Sequence, residues 1–296
     1  MKLTAGIRRG FLVEPALAVL LWGGTFTAAK FGLREMPVLT FLAARIPIAL
    51  PLLFAIGPRS PVTPARSFWW RSMLAPGLAQ LAFQLLFLQG LERTSASASA
   101  ILLGASPLVA AVWLAVTTAQ RLMLLQWLGL LLGLGGVVLV MGGTGLELGQ
   151  DLLGNLLAFA ASIAWAWFGI AVGPAARATG PARAAGWSLA LAGCTLLPLA
   201  APEAATVDWS HVSVAAWTGL LYMAIFGLAA ATALWVRSIE RWGPQATMNY
   251  TYLEPVTGVA IAAIALGERL FPIQGVGAAL VLAGIYLASR REEARA

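Results

Sequence analysis

Charged side chains are scarce in this sequence. Only 10% of its 296 residues are charged and 60% are hydrophobic, with a mean hydropathy of +0.83, whereas about a quarter of an ordinary soluble domain is charged. So low a charge content excludes a soluble globular protein. The apolar stretches also leave no segment long enough for a separate soluble domain.

Reactive side chains are equally few. The sequence has one histidine, His211, and one cysteine, Cys194. A single cysteine excludes an internal disulfide, and a lone histidine offers neither a metal site nor a catalytic triad. There is no HExxH motif, no glycine-rich phosphate loop and no pair of aspartates within the apolar stretches. We therefore expect no enzyme, no metal site and no cofactor.

What the chain does contain is a series of long apolar runs. A helix needs about 20 predominantly apolar residues to cross the hydrocarbon core of a bilayer. Glycine and proline are frequent in these runs, as is normal for membrane helices. We find ten windows, at 13–33, 38–57, 69–90, 96–118, 124–143, 151–172, 183–201, 213–236, 245–266 and 272–289. The sequence therefore predicts an all-α integral membrane protein with ten transmembrane helices.

The basic residues are unevenly distributed between the windows. If the N-terminus is cytoplasmic, fourteen of the nineteen lysines and arginines lie on the cytoplasmic side, and only Arg34, Arg93 and Arg269 lie outside. Such a bias orients multi-pass proteins during insertion, and it explains the net charge of +7 without nucleic acid. We expect both termini in the cytoplasm, the lipid bilayer as a partner and no binding of nucleic acid.

The second half of the sequence repeats the first. A shift of 148 residues overlays the segment beginning at Leu91 on the segment beginning at Ile239 without a gap, and pairs Pro107 with Pro255. Each copy holds five windows, so the second copy is inverted in the membrane, as in many secondary transporters. We expect two five-helix inverted-topology repeats, 1–148 and 149–296, that enclose a central cavity in one membrane-embedded unit.

A carboxylate stands in the middle of the ninth window. Glu254 directly precedes Pro255, and its repeat mate Ser106 directly precedes Pro107. A charge that faces lipid costs at least about 2.5 kcal/mol, so we expect Glu254 to face a partner or a wet cavity. Both prolines should kink their helices, because proline removes a backbone donor. The alternative is a structural ion pair between Glu254 and a base such as Arg45.

Other polar and aromatic side chains also fall inside the windows. Gln80 and Gln84 are four residues apart and share a helical face, where they either bind a ligand or bridge helices. The tryptophans and tyrosines either offer surface to an apolar ligand or pack between helices. Lys30 and Arg45 are the further charges within the windows. The predicted cavity residues are Trp22, Thr25, Gln80, Gln84, Ser99, Ser106, Trp165, Tyr222, Thr247, Thr251 and Glu254.

Three segments resemble a known superfamily. WGGTFTAAKFGL, FLAARIPIAL and YLEPVTGVAIAAIALGERL are similar to segments of the drug/metabolite transporter superfamily, specifically its ten-helix EamA-type exporters. Within it, the chain resembles the bacterial YddG-like exporters of aromatic and other amino acids. The resemblance implies a cavity lined by the first, third, fourth, sixth, eighth and ninth windows. The corresponding segment of the first copy, AQRL, lacks the glutamate of GERL. We therefore expect no role for Glu268 that depends on a glutamate in both copies.

Together these features predict a secondary transporter that works by alternating access. Its expected activity is export of small metabolites, most of all amino acids with aromatic or hydrophobic side chains. It would lie in the bacterial inner membrane and act as a monomer. Two alternatives stay open: an exporter of another small metabolite or drug in the same superfamily, and a passive facilitator or channel.

Overall fold

The computed structural model describes residues 12–56, 66–93, 102–118, 122–142, 152–266 and 271–288. In this part of the chain the secondary structure is helical and contains no strand. The helices are α1 (Val13–Gly32), α2 (Val38–Ile56), α3 (Arg66–Arg93), α4 (Ser106–Thr117), α5 (Leu124–Gly142), α6 (Leu152–Thr179), α7 (Pro181–Ala204), α8 (Val214–Trp242), α9 (Pro244–Met248), α10 (Leu253–Leu266) and α11 (Pro272–Ala288).

The helices agree with the ten predicted passes. Four of them, α2, α6, α7 and α8, are long and apolar enough to cross a membrane, and α1, α3, α4, α5 and α11 contain shorter apolar stretches. The ninth pass is divided between α9 and α10. Many leucine, valine and isoleucine side chains are exposed on the outer surface, which suits contact with lipid rather than water. The prediction of an all-α integral membrane protein is confirmed.

Two connections between passes consist of a single glycine. Gly180 and Gly243 both have φ of 89°, in the left-handed region that favours glycine. Pro181 and Pro244 then begin α7 and α9, where the missing proline N–H has no helical partner to lose. The chain therefore reverses direction twice with almost no loop.

The fifth and tenth passes pack through glycine. A Cβ atom at Gly136 would lie 2.7 Å from the carbonyl oxygen of Gly277, and one at Gly277 would lie 2.7 Å from the carbonyl oxygen of Gly136. The repeat mates of this pair, Gly284 and Gly129, oppose each other in the same way, at 2.7 and 2.8 Å. Only hydrogen fits at these positions, so the backbones of α5 and α11 lie in direct contact.

Two glutamines show the same reciprocity. Gln126 and Gln274, which the repeat shift pairs, each accept a hydrogen bond from the backbone N–H three residues earlier, at 2.9 and 2.8 Å. Each also donates across the interface, to the carbonyl oxygens of Ala288 and Val140 at 3.5 and 3.4 Å. Equivalent residues therefore make equivalent contacts, as the predicted repeat requires. The predicted boundary at residue 148 lies outside the described residues.

The ninth pass differs from its predicted window. Instead of one helix over 245–266, the chain forms α9, a 3₁₀ turn (Asn249–Tyr252) and then α10. In the fourth pass a turn at 104–105 precedes α4, and residues 94–101 lie outside the described part. Both breaks lie just before a proline, Pro255 or Pro107, whose missing N–H interrupts the helical hydrogen bonds. The ninth pass is therefore divided by a 3₁₀ turn just ahead of Pro255, the proline at which the sequence predicts a kink.

Candidate functional site

Five aromatic side chains from four passes meet inside the molecule. Trp22 of α1 lies edge-on to Trp165 of α6, with ring centroids 5.4 Å apart, and 5.0 Å from Trp235 of α8. Phe83 of α3 and Phe168 of α6 lie 4.9 and 5.4 Å from Trp165. We call these five residues the aromatic cluster. Trp22 of the first repeat and Trp165 of the second thus touch inside the molecule.

A π-helical segment passes beside the aromatic cluster. It occupies Met223–Ala231 within α8. The indole N–H of Trp22 donates a hydrogen bond to the carbonyl oxygen of Gly227 in this segment, at 2.9 Å. The methyl group of Thr25 lies only 2.8 Å from where a Cβ of Gly227 would stand. π-Helical turns are rare in proteins overall, and those that occur are often found at functional sites. The segment therefore indicates that this region of α8 belongs to a functional site.

Tyr222 lies directly before the π segment. Its hydroxyl donates a hydrogen bond to the carbonyl oxygen of Leu21 at 3.2 Å, and its ring lies against Gly24, where a Cβ would clash with it. The second glycine of the WGGTF motif therefore lets α8 approach α1. Tyr222, Trp22 and Thr25, all predicted cavity residues, are brought together by this approach.

The two glutamines of α3 lie near the same cluster. Gln80 and Gln84 are only 4% and 8% exposed, and Phe83, the neighbour of Gln84, contacts Trp165. The Oε1 atom of Gln80 is buried without a hydrogen-bond partner among the described residues. Gln80 is therefore not a fully satisfied structural bridge between helices in the described part of the chain.

Polar side chains also gather where the fourth and ninth passes break. The Nε2 atom of Gln245 donates to the carbonyl oxygen of Pro107 at 3.3 Å and to Oδ1 of Asn249 at 3.1 Å, which ties α9 to the first turn of α4. Thr247 is satisfied locally, because its hydroxyl donates to the carbonyl oxygen of Gly243 at 3.0 Å. In this region, four buried side-chain atoms have no partner in the described chain: Ser106 Oγ, Gln245 Oε1, Asn249 Nδ2 and Thr251 Oγ1.

Such unsatisfied atoms are costly. Each buried polar group without a hydrogen bond costs about 1–3 kcal/mol, and a native fold retains several together only where something else satisfies them. We call Ser106, Gln245, Asn249, Thr251 and Glu254 the break cluster. Its polar groups and the aromatic cluster give the interior one polar and one apolar surface.

The two buried charges of opposite sign do not pair. Glu254 lies in the first turn of α10 and is partly exposed, and its carboxylate has no ion pair or hydrogen bond within the described chain. Arg45 is 6% exposed; its Nε donates to the carbonyl oxygen of Leu42 at 3.4 Å and its guanidinium lies 5.8 Å from the centroid of Phe41. The structural ion pair between them is therefore absent from this conformation.

Two predicted residues lie beyond what the structure describes: Ser99 and the side chain of Lys30. Sequence reasoning in turn missed Gln245, Asn249 and Trp235. Gln245 and Asn249 share the four-residue spacing that singled out Gln80 and Gln84, so that signal was present. The π segment and the contact of Trp235 with Trp22 leave no signal in the sequence, because both depend on how α1 packs against α8.

Helices α1 and α8 are joined at both ends. Arg241 forms an ion pair with Glu14 at one end. At the other, the backbone N–H and the hydroxyl of Ser213 donate to the two carboxylate oxygens of Glu35, at 2.7 and 2.6 Å. These hydrogen bonds hold the pKa of Glu35 below its usual value. The pair α1–α8 therefore forms one continuous unit.

Comparison with known proteins identifies the family. The model of the EamA-like transporter family matches residues 12–142 and again residues 152–290. This chain belongs to the EamA-like transporter family. The double match follows the two repeats, and the resemblance to the drug/metabolite transporter superfamily is confirmed.

Individual relatives agree with this assignment. An uncharacterized transporter of Synechocystis sp. is 27% identical over 99% of this chain and 93% of its own length. A protein of Escherichia coli named "Probable amino-acid metabolite efflux pump" is 28% identical over 92% of each chain. A solved crystal structure superposes with a TM-score of 0.77 over 94% of this chain and 96% of that one, at 18% identity, which shows the same fold. The EamA-like chain is thus a membrane transporter.

The interior groups of this transporter suit binding more than chemistry. The described residues contain no group of three or more histidine, cysteine, aspartate or glutamate side chains that could hold a metal ion. The aromatic cluster offers flat apolar surface, which favours rings and aliphatic chains. The break cluster offers unsatisfied donors, acceptors and a carboxylate, which favour a polar or charged group.

Proposed function

We propose that this protein exports amino acids, above all those with aromatic or hydrophobic side chains, across the bacterial inner membrane by alternating access. It acts as a monomer, with both termini in the cytoplasm. The name of the Escherichia coli relative supports amino-acid efflux, and the fourteen basic residues on one side of the predicted topology support the orientation.

The proposal rests on one observation: the carboxylate of Glu254 has no partner in the described chain. Glu254 belongs to the break cluster, and the preceding pass contributes Trp235 to the aromatic cluster. An unpaired charge at membrane depth marks a substrate or ion pathway. An amino acid has the matching parts, since its ammonium suits Glu254 and its side chain suits the tryptophans.

The helix breaks supply the moving parts. Among the described residues, contacts between the fourth and ninth passes involve α4, α9 and the 3₁₀ turn, which form the halves of these passes predicted to lie on the cytoplasmic side. We infer that this conformer is closed toward the cytoplasm. In the opposite conformer the inverted repeats exchange roles, and the outer halves of the two passes approach each other instead.

The test is uptake into proteoliposomes of purified protein with a panel of radiolabelled amino acids, with and without an imposed pH gradient. We expect saturable uptake of phenylalanine, tryptophan or leucine, loss of uptake in Glu254→Gln, and normal uptake in Glu240→Gln, a carboxylate variant near the end of α8. Acceleration of wild-type uptake by the imposed gradient would show proton coupling. No uptake of any amino acid, or single-channel currents in place of saturable counterflow, would refute the proposal.

A further inference from the structure

Two helices begin inside the membrane part of the molecule. α4 starts at Ser106 and has 12 residues, and α10 starts at Leu253 and has 14 residues. The first turn of a helix carries partial positive charge and free N–H groups, and therefore attracts anions. The repeat shift makes the two starts equivalent in sequence, but at the α10 start the backbone N–H of Leu253 already donates to the carbonyl oxygen of Tyr250 in the preceding 3₁₀ turn.

The equivalent starts differ in one side chain. α10 carries an acidic residue in its first turn, Glu254, whereas the first turn of α4 has the neutral Ser106 in its place. The start of α4 also has no side-chain cap. The α10 start is thus negatively charged by its own carboxylate, and the α4 start keeps its positive character.

Two free donors accompany the positive start of α4. Ser106 is 0% exposed and Asn249 is 1% exposed, and Ser106 Oγ and Asn249 Nδ2 have no partner within the described chain. Gln245 fixes the orientation of Asn249, because its Nε2 donates to the Oδ1 atom and so leaves the Nδ2 donor free. The same Nε2 atom also donates to the carbonyl oxygen of Pro107, which places the side-chain amide of Gln245 beside the first turn of α4.

An apolar surface lies one helical turn away. Met248, the neighbour of Asn249, packs against Gly169 of α6, where a Cβ would clash with its methyl group. Gly169 follows Trp165 by four residues on the same face of α6. The break cluster and the aromatic cluster are therefore adjacent along α6.

We propose that the two helix starts bind the head group of a zwitterionic α-amino acid: Ser106, Asn249 and the α4 N-terminus take its carboxylate, and Glu254 takes its ammonium. The side chain of the substrate then lies toward Trp165. This assignment rests on the proposed export of amino acids and adds which charged group binds where. Amines and organic acids each fill only one of the two poles, so zwitterions are the preferred class.

The test compares phenylalanine with phenylalaninamide, which keeps the ring and the ammonium but lacks the carboxylate. Both are measured in proteoliposomes, phenylalanine by its KM for uptake and the amide by its inhibition constant. The variants are Asn249→Asp, which puts a negative charge on the carboxylate pole, Ser106→Ala, and Ser162→Ala as a control. Ser162 is also 0% exposed, but its hydroxyl already donates to the carbonyl oxygen of Phe159 at 2.7 Å.

We expect the wild-type protein to prefer phenylalanine by about tenfold or more, since hydrogen bonds to a charged group are worth about 1.5–3 kcal/mol. Asn249→Asp should reverse the preference, Ser106→Ala should reduce it, and Ser162→Ala should leave it unchanged. Equal affinity of the wild type for both ligands would overturn the assignment. So would equal losses for both ligands in Asn249→Asp together with an unchanged preference in Ser106→Ala.

Two further results separate the assignment from its premise. If the wild-type protein takes up no amino acid, the proposed function itself fails. If uptake is normal and only Arg45→Gln removes the preference for phenylalanine, the carboxylate binds at α2 and the assignment to the helix starts is wrong.

Discussion

The contact between α5 and α11 and the two helix breaks are built from repeat-related residues, yet they have diverged to different degrees. At the contact, Gln126 and Gln274 keep the same side chain and the same two hydrogen bonds. At the breaks, Ser106 stands opposite Glu254. Packing requires equal residues on both sides of the symmetry, whereas binding an unsymmetrical ligand requires unequal ones. The comparison therefore separates scaffold from site.

The largest expected effect is at the scaffold. Gly136→Val places a side chain against the backbone of α11, where the Cβ alone would lie 2.7 Å from the Gly277 carbonyl oxygen. Overpacking of this kind costs about 3 kcal/mol, which lowers Tm by roughly 10 °C. Gly135→Val is the matched control, because no atom lies within 4 Å of its Cβ position. Equal thermal stability of the two variants in detergent would contradict the close packing.

At the breaks we expect function to change while stability does not. Glu254→Gln removes the charge that has no partner in the described chain and should reduce amino-acid transport by about ten- to hundredfold, with an unchanged Tm. Proteoliposome uptake and thermal unfolding of the same preparation measure both. A clearly lower Tm of Glu254→Gln would instead show that Glu254 stabilises the fold, as the residues of the α5–α11 contact do.

The hydrogen bond between Trp22 and the π segment should have a smaller effect. Trp22→Phe keeps an aromatic ring but removes the donor to the Gly227 carbonyl oxygen, which is worth about 0.5–1.5 kcal/mol. We expect transport to fall by about three- to tenfold. Trp217→Phe, a substitution at a 36% exposed ring elsewhere on α8, serves as the control. If both variants transport equally well, the π segment does not need this bond.

The smallest effect concerns the two hydrogen bonds that Ser213 donates to the carboxylate of Glu35. Because the pKa of Glu35 is lowered in the fold, its contribution to stability is fully present above the ordinary glutamate pKa of about 4.3 and is lost as the pH falls from there through the lowered pKa. Glu35→Gln should therefore have a slightly lower Tm than the wild type at pH 7, and the gap should close below about pH 4. A difference in Tm that persists in acid would show that the contact between Ser213 and Glu35 does not depend on the carboxylate charge.

The sequence predicted the fold well because membrane helices follow from composition and the repeat from side-chain identity. It predicted the site only in part. Glu254, Ser106 and Trp165 stood out as a charge, its repeat mate and a tryptophan inside an apolar window. The division of the ninth pass at Asn249 depends on how the chain relaxes ahead of Pro255, and the amide orientation of Asn249 depends on a contact with another pass. Neither leaves a periodic pattern in the sequence.

Thiol labelling tests the central claim, that the unequal helix breaks enclose a substrate-accessible site between two inverted repeats. Cys194 is the only cysteine, so a Cys194→Ser background needs a single substitution. Glu254→Cys in this background should react with a membrane-impermeant thiol reagent applied from outside the cell. Leu282→Cys, at a 51% exposed and lipid-facing position, should stay unlabelled. A cysteine at position 254 that reacts from neither side of the membrane would contradict the account.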